Sequence, residues 1–164
     1  MFATEQEQTF FLSRIKSNHV VLEYGSGKST LDIEKIAAKI ISIEHDEHWY
    51  RQMSKQVSDK CKLIYVPANM TYKEGGCDGT FEQFENYINE PSKHGVFDVV
   101  LIDGRARLEC VKNIRKVCHA DTQIFVHDFF SRLKIDNYEN MYDYLDQIDC
   151  VGDMCLFKMK DPVQ

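Results

Sequence analysis

The chain has 164 residues, of which 43% are hydrophobic and 28% are charged, and its formal net charge is −6. This length fits a single domain over residues 1–164 with a buried core, and the composition is that of a globular protein. The negative charge argues against nucleic acid as a partner, because proteins that bind a phosphate backbone carry a basic face. The apolar runs are shorter than the roughly 20 residues of a membrane span, which argues against a membrane partner.

The N-terminal segment has no basic stretch followed by an apolar run, so the sequence shows no secretory signal. We therefore expect a cytoplasmic protein whose six cysteines are reduced. The cysteines form no C-x-x-C pair, and no zinc site is predicted. A homodimer is compatible with these features, and a small molecule is the expected partner.

Short apolar runs alternate with segments of helical periodicity, which is typical of parallel strands joined by crossover helices. A capping-box sequence beginning at Thr4 predicts a short N-terminal helix over residues 4–16. Near-continuous β-branched runs fit strands that helices cover on both faces. Five such runs predict strands at residues 20–22, 40–43, 63–66, 99–102 and 124–126.

The second half of the chain adds a helix and a last strand. Helical spacing of Tyr138, Met141, Leu145 and Ile148 predicts a helix. Residues 154–159 read as a final strand, and the short turn before them makes that strand antiparallel to its neighbour. Residues 67–95 break the regular alternation and are predicted to be an insertion near the cleft, since long connections at the carboxyl ends of strands carry binding residues.

A glycine loop joins the first strand to the next helix. Gly25 and Gly27 allow a tight turn and a close approach to a ligand. The helix that begins near Ser29 points free N–H groups at that ligand, which favours a carboxylate or a phosphate. A P-loop would need a glycine where Leu22 stands, and a dinucleotide fingerprint would need its third glycine where Thr30 stands.

Two carboxylates at strand ends distinguish between the remaining cofactors. Glu23 ends the first strand, where a carboxylate is costly unless a cation or hydrogen-bond donors meet it. S-adenosylmethionine (SAM) offers an ammonium group at this position, whereas NAD and ATP do not. Glu44 ends the second strand about 20 residues downstream, where a carboxylate fits both hydroxyls of an adenosine ribose. The alternatives are a buried salt bridge for Glu23 and a helix cap for Glu44.

Four segments, in this order, resemble those of class I SAM-dependent methyltransferases: E-Y-G-S-G-K-S-T, S-I-E-H-D-E-H-W-Y, V-V-L-I-D-G-R-A-R and I-F-V-H-D-F-F. They are most similar to small stand-alone members that resemble catechol-type O-methyltransferases, and the resemblance covers nearly the whole chain. It implies an α/β fold with a doubly wound, mostly parallel seven-stranded sheet and an antiparallel last strand. It also implies that Glu23 meets the methionine ammonium, that Glu44 holds the ribose, and that Ser29 or Thr30 meets the methionine carboxylate.

The sequence departs from this family where many members place an acidic residue after the third strand to hold adenine. Asn69 stands in this stretch, and Asn69 or a backbone carbonyl is expected to take the role, with His45 beside the adenine. The predicted cofactor-binding residues are Glu23, Tyr24, Gly25, Ser26, Gly27, Ser29, Thr30, Glu44, His45, Asn69 and Asp103.

Three polar residues follow the fourth and fifth strands and form the predicted catalytic site. Asp103, His127 and Asp128 should converge, because neighbouring parallel strands end at one edge of the sheet. The resemblance implies that Asp103 and Asp128 hold magnesium or manganese, while a metal-free alternative makes His127 a general base. A third alternative is a hydrogen bond between His127 and Asp103 that only ties the two strands together.

Arg105 and Arg107 are predicted to hold an anionic group of the substrate through forked hydrogen bonds. The alternative is that either one pairs with Glu109 or Asp128. The expected function is methyl transfer from SAM to an oxygen or nitrogen atom of a small polar acceptor. A SAM-binding module without transfer activity, or a subunit of a larger assembly, is the alternative, and a nucleotide-binding Rossmann domain is a weaker one.

Overall fold

The computed structural model describes residues 4–72 and 78–161. Seven strands form one sheet in these residues. They are β1 (Val20–Tyr24), β2 (Lys39–Glu44), β3 (Cys61–Tyr65), β4 (Phe97–Ile102), β5 (Cys118–Val126), β6 (Leu145–Val151) and β7 (Met154–Met159).

The strand order is β3-β2-β1-β4-β5-β7-β6, and β1 to β5 pair in parallel. Strand β7 is antiparallel to both of its neighbours. The predicted doubly wound sheet with a reversed last strand is therefore confirmed. The order reverses between β1 and β4, and ligands of such sheets bind outside the carboxyl ends of the strands at this switch point.

Five α-helices and three 3₁₀ helices connect the strands. The α-helices are α1 (Glu5–Leu12), α2 (Lys28–Ile33), α3 (Glu47–Met53), α4 (Phe81–Asn89) and α5 (Arg107–Asn113), and the 3₁₀ helices span Glu90–Lys93, Ile114–Val117 and Tyr138–Asp143. No helix of the described residues has both the length and the apolar character needed to cross a membrane.

The sheet separates two hydrophobic clusters, one on each face. Along β4, Val100 and Ile102 join one cluster while Val99 and Leu101 join the other. This division follows from the two-residue period of a strand, which sends successive side chains to opposite faces. Each fully buried aliphatic side chain contributes about 1.5–3 kcal/mol. A strand such as β4, with apolar side chains on both faces, is therefore stabilised where a hydrophobic cluster covers each face of the sheet.

Two boundaries differ from the sequence prediction. Helix α1 forms through the predicted capping box of Thr4 and Glu7, but it ends at Leu12, before residue 16. The helix predicted from Tyr138 to Ile148 is wrong in its second half, because Leu145 and Ile148 lie in β6. Pairing with β7 decides the conformation here, and the apolar spacing alone does not separate a helix from a short turn followed by an edge strand.

The expectation of six reduced cysteines is wrong for one pair. Cys150 and Cys155 form a disulfide across the hairpin of β6 and β7. The two-residue turn at Gly152 and Asp153 sets the register that places these cysteines opposite each other, with their Cα atoms 4.2 Å apart. The described free thiols belong to Cys61, Cys110 and Cys118.

The predicted insertion over residues 67–95 holds α4 and the 3₁₀ helix that follows it. Thr80 and Gln83 form a capping box that starts α4. Residues 73–77 of the insertion lie outside the described residues. The part that follows them connects to the rest of the molecule through Asp78, whose backbone oxygen accepts the N–H of Ala106 at 2.8 Å.

Candidate active site

A cavity of about 500 Å³ opens at the carboxyl ends of β1, β2 and β4. Its walls come from the loop after β1, from the segment between β2 and α3, and from the loop after β4. Pockets that bury small ligands have volumes of about 300–1,000 Å³. The cavity therefore has the size and the position, at the switch point of the sheet, of a site for a small ligand.

Two glycines bring the loops after β1 and β4 into backbone contact. Gly25 has a φ of +90°, and a Cβ atom on it would lie 2.6 Å from the Cα atom of Gly104. A Cβ atom on Gly104 would lie 2.1 Å from the hydroxyl oxygen of Tyr87. The close approach predicted for Gly25 is thus made to another loop of the protein. Gly27 does not line the cavity, and its N–H donates to the Thr30 hydroxyl at 2.9 Å.

Glu23 is fully buried beneath the glycine loop and does not line the cavity. Its carboxylate accepts hydrogen bonds from the hydroxyls of Ser29, Thr30 and Ser42 at 2.5–2.6 Å. Burial raises the pKa of Glu23 to about 7, and the three hydroxyls only partly offset this rise. The alternative for Glu23 was a buried salt bridge. Among the described residues, its carboxylate is instead hydrogen-bonded to hydroxyl groups. Of these residues, only Ser29 reaches the cavity wall.

Glu44 occupies the cavity wall at the end of β2. One carboxylate oxygen accepts from the N–H and the hydroxyl of Ser26, at 2.9 and 2.7 Å. The other accepts from the N–H groups of His45 and Asp46, at 2.8 and 2.9 Å. Burial alone would raise the pKa of Glu44. The His45 imidazole, whose Nδ1 atom lies 3.1 Å from this carboxylate, the N–H of Asp46 and the hydroxyl of Ser26 outweigh burial, and the pKa is lowered. Asp46 caps α3, so the helix-cap alternative for Glu44 does not hold.

Three aromatic side chains surround the His45 ring, which lies next to Glu44. The ring centroids of Tyr72, Phe84 and Tyr87 lie 5.7–6.0 Å from that of His45. Trp49 donates its indole N–H to the backbone oxygen of Ser26 at 2.5 Å. The Trp49 side chain is 41% exposed and forms part of the cavity wall.

Two predicted cofactor contacts lie away from the cavity. Tyr24 is buried in the core, and its hydroxyl donates to the backbone oxygen of Ile88 at 2.8 Å. Asn69 is exposed, and its side-chain oxygen accepts the N–H of Asn86 at 3.0 Å. Neither side chain lines the cavity, so neither is placed to contact a ligand there.

Asp103, His127 and Asp128 converge as predicted, with one potential ligand atom from each lying within 4.8 Å of the others. The Nδ1 atom of His127 lies 2.9 Å from a carboxylate oxygen of Asp103 and 3.6 Å from one of Asp128. Asp128 adopts a left-handed conformation with a φ of +53°. Such a conformation costs free energy and recurs at functional sites, although Asp tolerates it better than most residues.

Arg107 is buried at the centre of this cluster. Its Nη1 atom donates to the backbone oxygen of His127 at 2.6 Å and lies 3.0 Å from a carboxylate oxygen of Asp128. Its Nη2 atom lies 3.6 Å from Asp103. The alternative in which Arg107 pairs with Asp128 is therefore the one observed, and this guanidinium is engaged within the protein.

The cluster holds its charges as ion pairs. Burial would raise the pKa of Asp103, but the hydrogen bond from His127 and the charge of Arg107 lower it to about 2. Burial would lower the pKa of His127, but Asp103 and Asp128 outweigh burial and raise it. The hydrogen bond between His127 and Asp103, which the third alternative predicted, is therefore present in the structure.

A divalent metal does not fit this cluster as it stands. Asp103 and Asp128 offer the oxygen ligands that magnesium and manganese prefer. However, Arg107 and His127 already neutralise both carboxylates at hydrogen-bonding or ion-pairing distances. A metal would have to displace these two side chains, and it would then lie beside a buried guanidinium.

Several residues that contact the cluster or line the cavity were not predicted from the sequence. Glu7 is buried and lies 3.7 Å from the Nε2 atom of His127, while it also accepts the N–H of Asp153 at 2.7 Å. Asp78 accepts the backbone N–H of Arg107 at 2.5 Å. Arg132 lines the cavity. The capping box identified Glu7 as part of a helix, but no sequence pattern connected it with the histidine that follows β5.

Neither a family model nor a curated protein matches this sequence. Solved structures do resemble the fold. A methyltransferase-like protein from Silicibacter pomeroyi is 19% identical, with a TM-score of 0.68 over 100% of this chain and 91% of that protein. A tRNA methyltransferase from Aquifex aeolicus is 14% identical, with a TM-score of 0.63 over 99% of this chain and 72% of that protein.

A caffeoyl-CoA O-methyltransferase candidate from Staphylococcus aureus is 13% identical, with a TM-score of 0.60 over 94% of this chain and 80% of that protein. One of these neighbours is named for tRNA and another for caffeoyl-CoA, so the likeness does not specify an acceptor. At these identities it establishes the fold. Together with the strand order and the reversed β7, it shows that the chain has the class I SAM-dependent methyltransferase fold.

Proposed function

We propose that the protein transfers a methyl group from SAM to an oxygen or nitrogen atom of a small polar acceptor. The observation that carries this proposal is the position of Glu44 on the cavity wall at the switch point of the sheet. Its pKa is lowered, so the side chain is an anion that faces the cavity. A buried carboxylate in this place suits the two hydroxyls of a ribose.

The opposite side of the cavity suits the methionine end of SAM. Asp103 lines this side, whereas Glu23, the predicted partner of the ammonium group, does not. His127 and Arg107 hold Asp103 in place and keep its pKa at about 2. We therefore assign Asp103 as the group that accepts a hydrogen bond from the methionine ammonium.

When bound, SAM supplies a methyl group on a sulfonium: a lone pair of the acceptor bonds to the methyl carbon while the carbon–sulfur bond breaks, its electrons stay on sulfur, and the acceptor proton leaves to solvent. The residues around the cavity contribute by orienting the two reactants for this in-line displacement. Glu44 and Asp103 fix the two ends of one reactant. Gly25 and Gly104 line the same cavity, where the two loops meet so closely that neither position has room for a Cβ atom.

The alternative of a SAM-binding module without transfer activity predicts a cavity that side chains close beside Asp103. Phe129 and Phe130 are the candidates to close it. Phe129 is fully buried against Phe157, and Phe130 is 46% exposed, but neither lines the cavity. The described residues thus leave room for an acceptor, which supports an enzyme.

Calorimetric titration with S-adenosylhomocysteine tests the proposal. The wild-type protein should bind it with micromolar affinity, and Glu44→Gln should weaken binding by about tenfold or more, because charge-assisted hydrogen bonds contribute about 1.5–3 kcal/mol each. Glu44→Gln should also lower the melting temperature, since Ser26 and Asp46 lose their acceptor. Glu85→Gln, on the exposed face of α4, is the matched control and should change neither quantity. Binding of NAD or ATP without binding of S-adenosylhomocysteine would exclude methyl transfer.

A further inference from the structure

We propose that the methyl acceptor carries an oxyanion, a carboxylate or a phosphate, which binds to Arg105 with support from Arg132. The inference rests on the proposed function, because it assigns a substrate class to the same cavity. Arg105 and Arg132 line this cavity together with Asp103 and Glu44. The Arg105 guanidinium lies over the Tyr72 ring, which also packs beside His45.

Within residues 4–72 and 78–161, Arg105 lines the cavity without an ion-pair partner. Its Cζ atom lies 5.8 Å from the centroid of the Tyr72 ring. Such a cation–π contact orients the guanidinium and leaves its N–H groups in the plane available. A planar fork of this kind matches the two oxygens of a carboxylate or phosphate.

Arg132 is held in place beside the same cavity. Its Nη1 atom lies 3.0 Å from a carboxylate oxygen of Asp136, and its Nε atom lies 3.7 Å from one of Asp128. The side chain is still 31% exposed, and it lines the cavity. Two carboxylates thus fix the direction of this guanidinium and offset its charge, so that it supports Arg105 as a hydrogen-bond donor in a constant position. Arg107 differs, because it is buried and its N–H groups contact the protein.

The reactant that fits these arginines is the acceptor. SAM carries a sulfonium and an ammonium against one carboxylate, so it is a net cation that a guanidinium repels. An anionic acceptor is attracted both by the arginines and by the sulfonium that it must approach. The competing source of an oxyanion is the carboxylate of SAM itself. The experiment must therefore separate the two.

The test uses the wild-type protein, Arg105→Ala and Arg14→Ala. Arg14 is the matched control, because its guanidinium also lies over an aromatic ring, 5.6 Å from the centroid of Phe10, but outside the cavity. Each protein is saturated with S-adenosylhomocysteine and titrated with inorganic phosphate and with benzoate by calorimetry. We expect Arg105→Ala to weaken binding of at least one of these anions by about tenfold, and Arg14→Ala to change neither. Melting curves of the free proteins show whether each variant is folded.

The affinity for S-adenosylhomocysteine is the second readout. Arg105→Ala should leave it within about twofold of wild type, since the arginine serves the acceptor. A loss for S-adenosylhomocysteine but not for 5′-methylthioadenosine, which lacks the carboxylate, would identify the ligand's own carboxylate as the partner and overturn the inference. Unchanged anion binding in Arg105→Ala would overturn it as well. Failure of the proposed function has a different signature, namely no binding of S-adenosylhomocysteine to the wild type.

Discussion

Two buried carboxylates at the ends of neighbouring strands have opposite electrostatics. Glu23, the last residue but one of β1, lies beneath the glycine loop and accepts hydrogen bonds from three hydroxyl groups, and its pKa rises to about 7. Glu44 ends β2, accepts three backbone N–H groups and one hydroxyl, and lies 3.1 Å from the Nδ1 atom of His45, and its pKa is lowered. Hydroxyl groups can reverse and accept a hydrogen bond from a neutral carboxyl group, whereas backbone N–H groups can only donate and so favour the anion.

The difference separates a structural role from a binding role. Glu23, whose pKa rises, faces the interior of the protein. Glu44, which stays ionised, faces the cavity. A cationic or hydroxyl-bearing ligand would therefore meet the charged group. The sequence presents the two glutamates as equivalent strand ends, and only their donors distinguish them.

The largest effect on stability is expected at the backbone contact between Gly25, in the loop after β1, and Gly104, in the loop after β4. Gly25→Ala would place a Cβ atom 2.6 Å from the Cα atom of Gly104, at a φ of +90°. We expect a loss of about 3 kcal/mol or more in the free energy of unfolding, because overpacking against backbone adds to the conformational strain. Chemical denaturation measures it. Gly95→Ala is the control, with a φ of +98° but no atom within 4 Å of its Cβ position. It should lose only about 1 kcal/mol, and equal losses in the two variants would disprove the contact.

The next effect concerns the pH dependence of stability. The pKa of Glu23 rises from 4.5 to about 7 on folding. Its contribution is fully present below pH 4.5 and is lost as the pH rises through about 7, since the unfolded chain then gains by ionising. At about 1.4 kcal/mol per pKa unit, this loss is on the order of 3 kcal/mol. The free energy of unfolding of wild type minus that of Glu23→Gln should therefore fall over this window. A difference that stays constant with pH would mean that Glu23 is ionised when buried.

A pair of hydroxyl deletions compares the two carboxylates directly. Ser42 donates to Glu23 at 2.6 Å and Ser26 donates to Glu44 at 2.7 Å. Each substitution by alanine should cost about 1–2 kcal/mol of stability. Ser26→Ala should also weaken binding of S-adenosylhomocysteine several-fold, while Ser42→Ala should leave the affinity unchanged. Equal effects on affinity would remove the distinction between the two sites.

The smallest effect is expected at the third carboxylate site, the cluster of Asp103, His127 and Asp128. Because Arg107 and His127 already pair with its acids, manganese should not change the affinity for S-adenosylhomocysteine, and a chelator should not change methyl transfer. Titration with manganese, followed by electron paramagnetic resonance, measures binding directly. Saturable binding that Asp103→Asn removes would restore the metal site that the resemblance implied.

The sequence predicted the parts of the molecule that follow from strand periodicity and from the geometry of parallel sheets. The convergence of Asp103 with His127 is an example, because neighbouring parallel strands must end together. Strand β6 was missed, because a turn followed by an edge strand can present helical apolar spacing. The disulfide depends on hairpin register, which the cysteine spacing alone did not reveal.

Side-chain partners in the site could not be predicted in the same way. Arg105 and Arg107 are two residues apart, yet one lies over an aromatic ring beside the cavity and the other is buried among acids. The difference arises because Arg107 begins α5, which turns its side chain inward beneath the end of β5. Arg132 was not singled out because nothing in its local sequence marks it as a neighbour of the cavity.

The contact between Gly25 and Gly104 also constrains how this cavity can change during evolution or engineering. With two chain segments touching backbone to backbone, this part of the cavity wall offers no side chain to exchange. New acceptor preferences must therefore come from the rim, where Arg105, Arg132 and Trp49 each present a replaceable side chain. A library that randomises these rim positions and leaves the two glycines intact should keep the fold while it varies what the protein accepts.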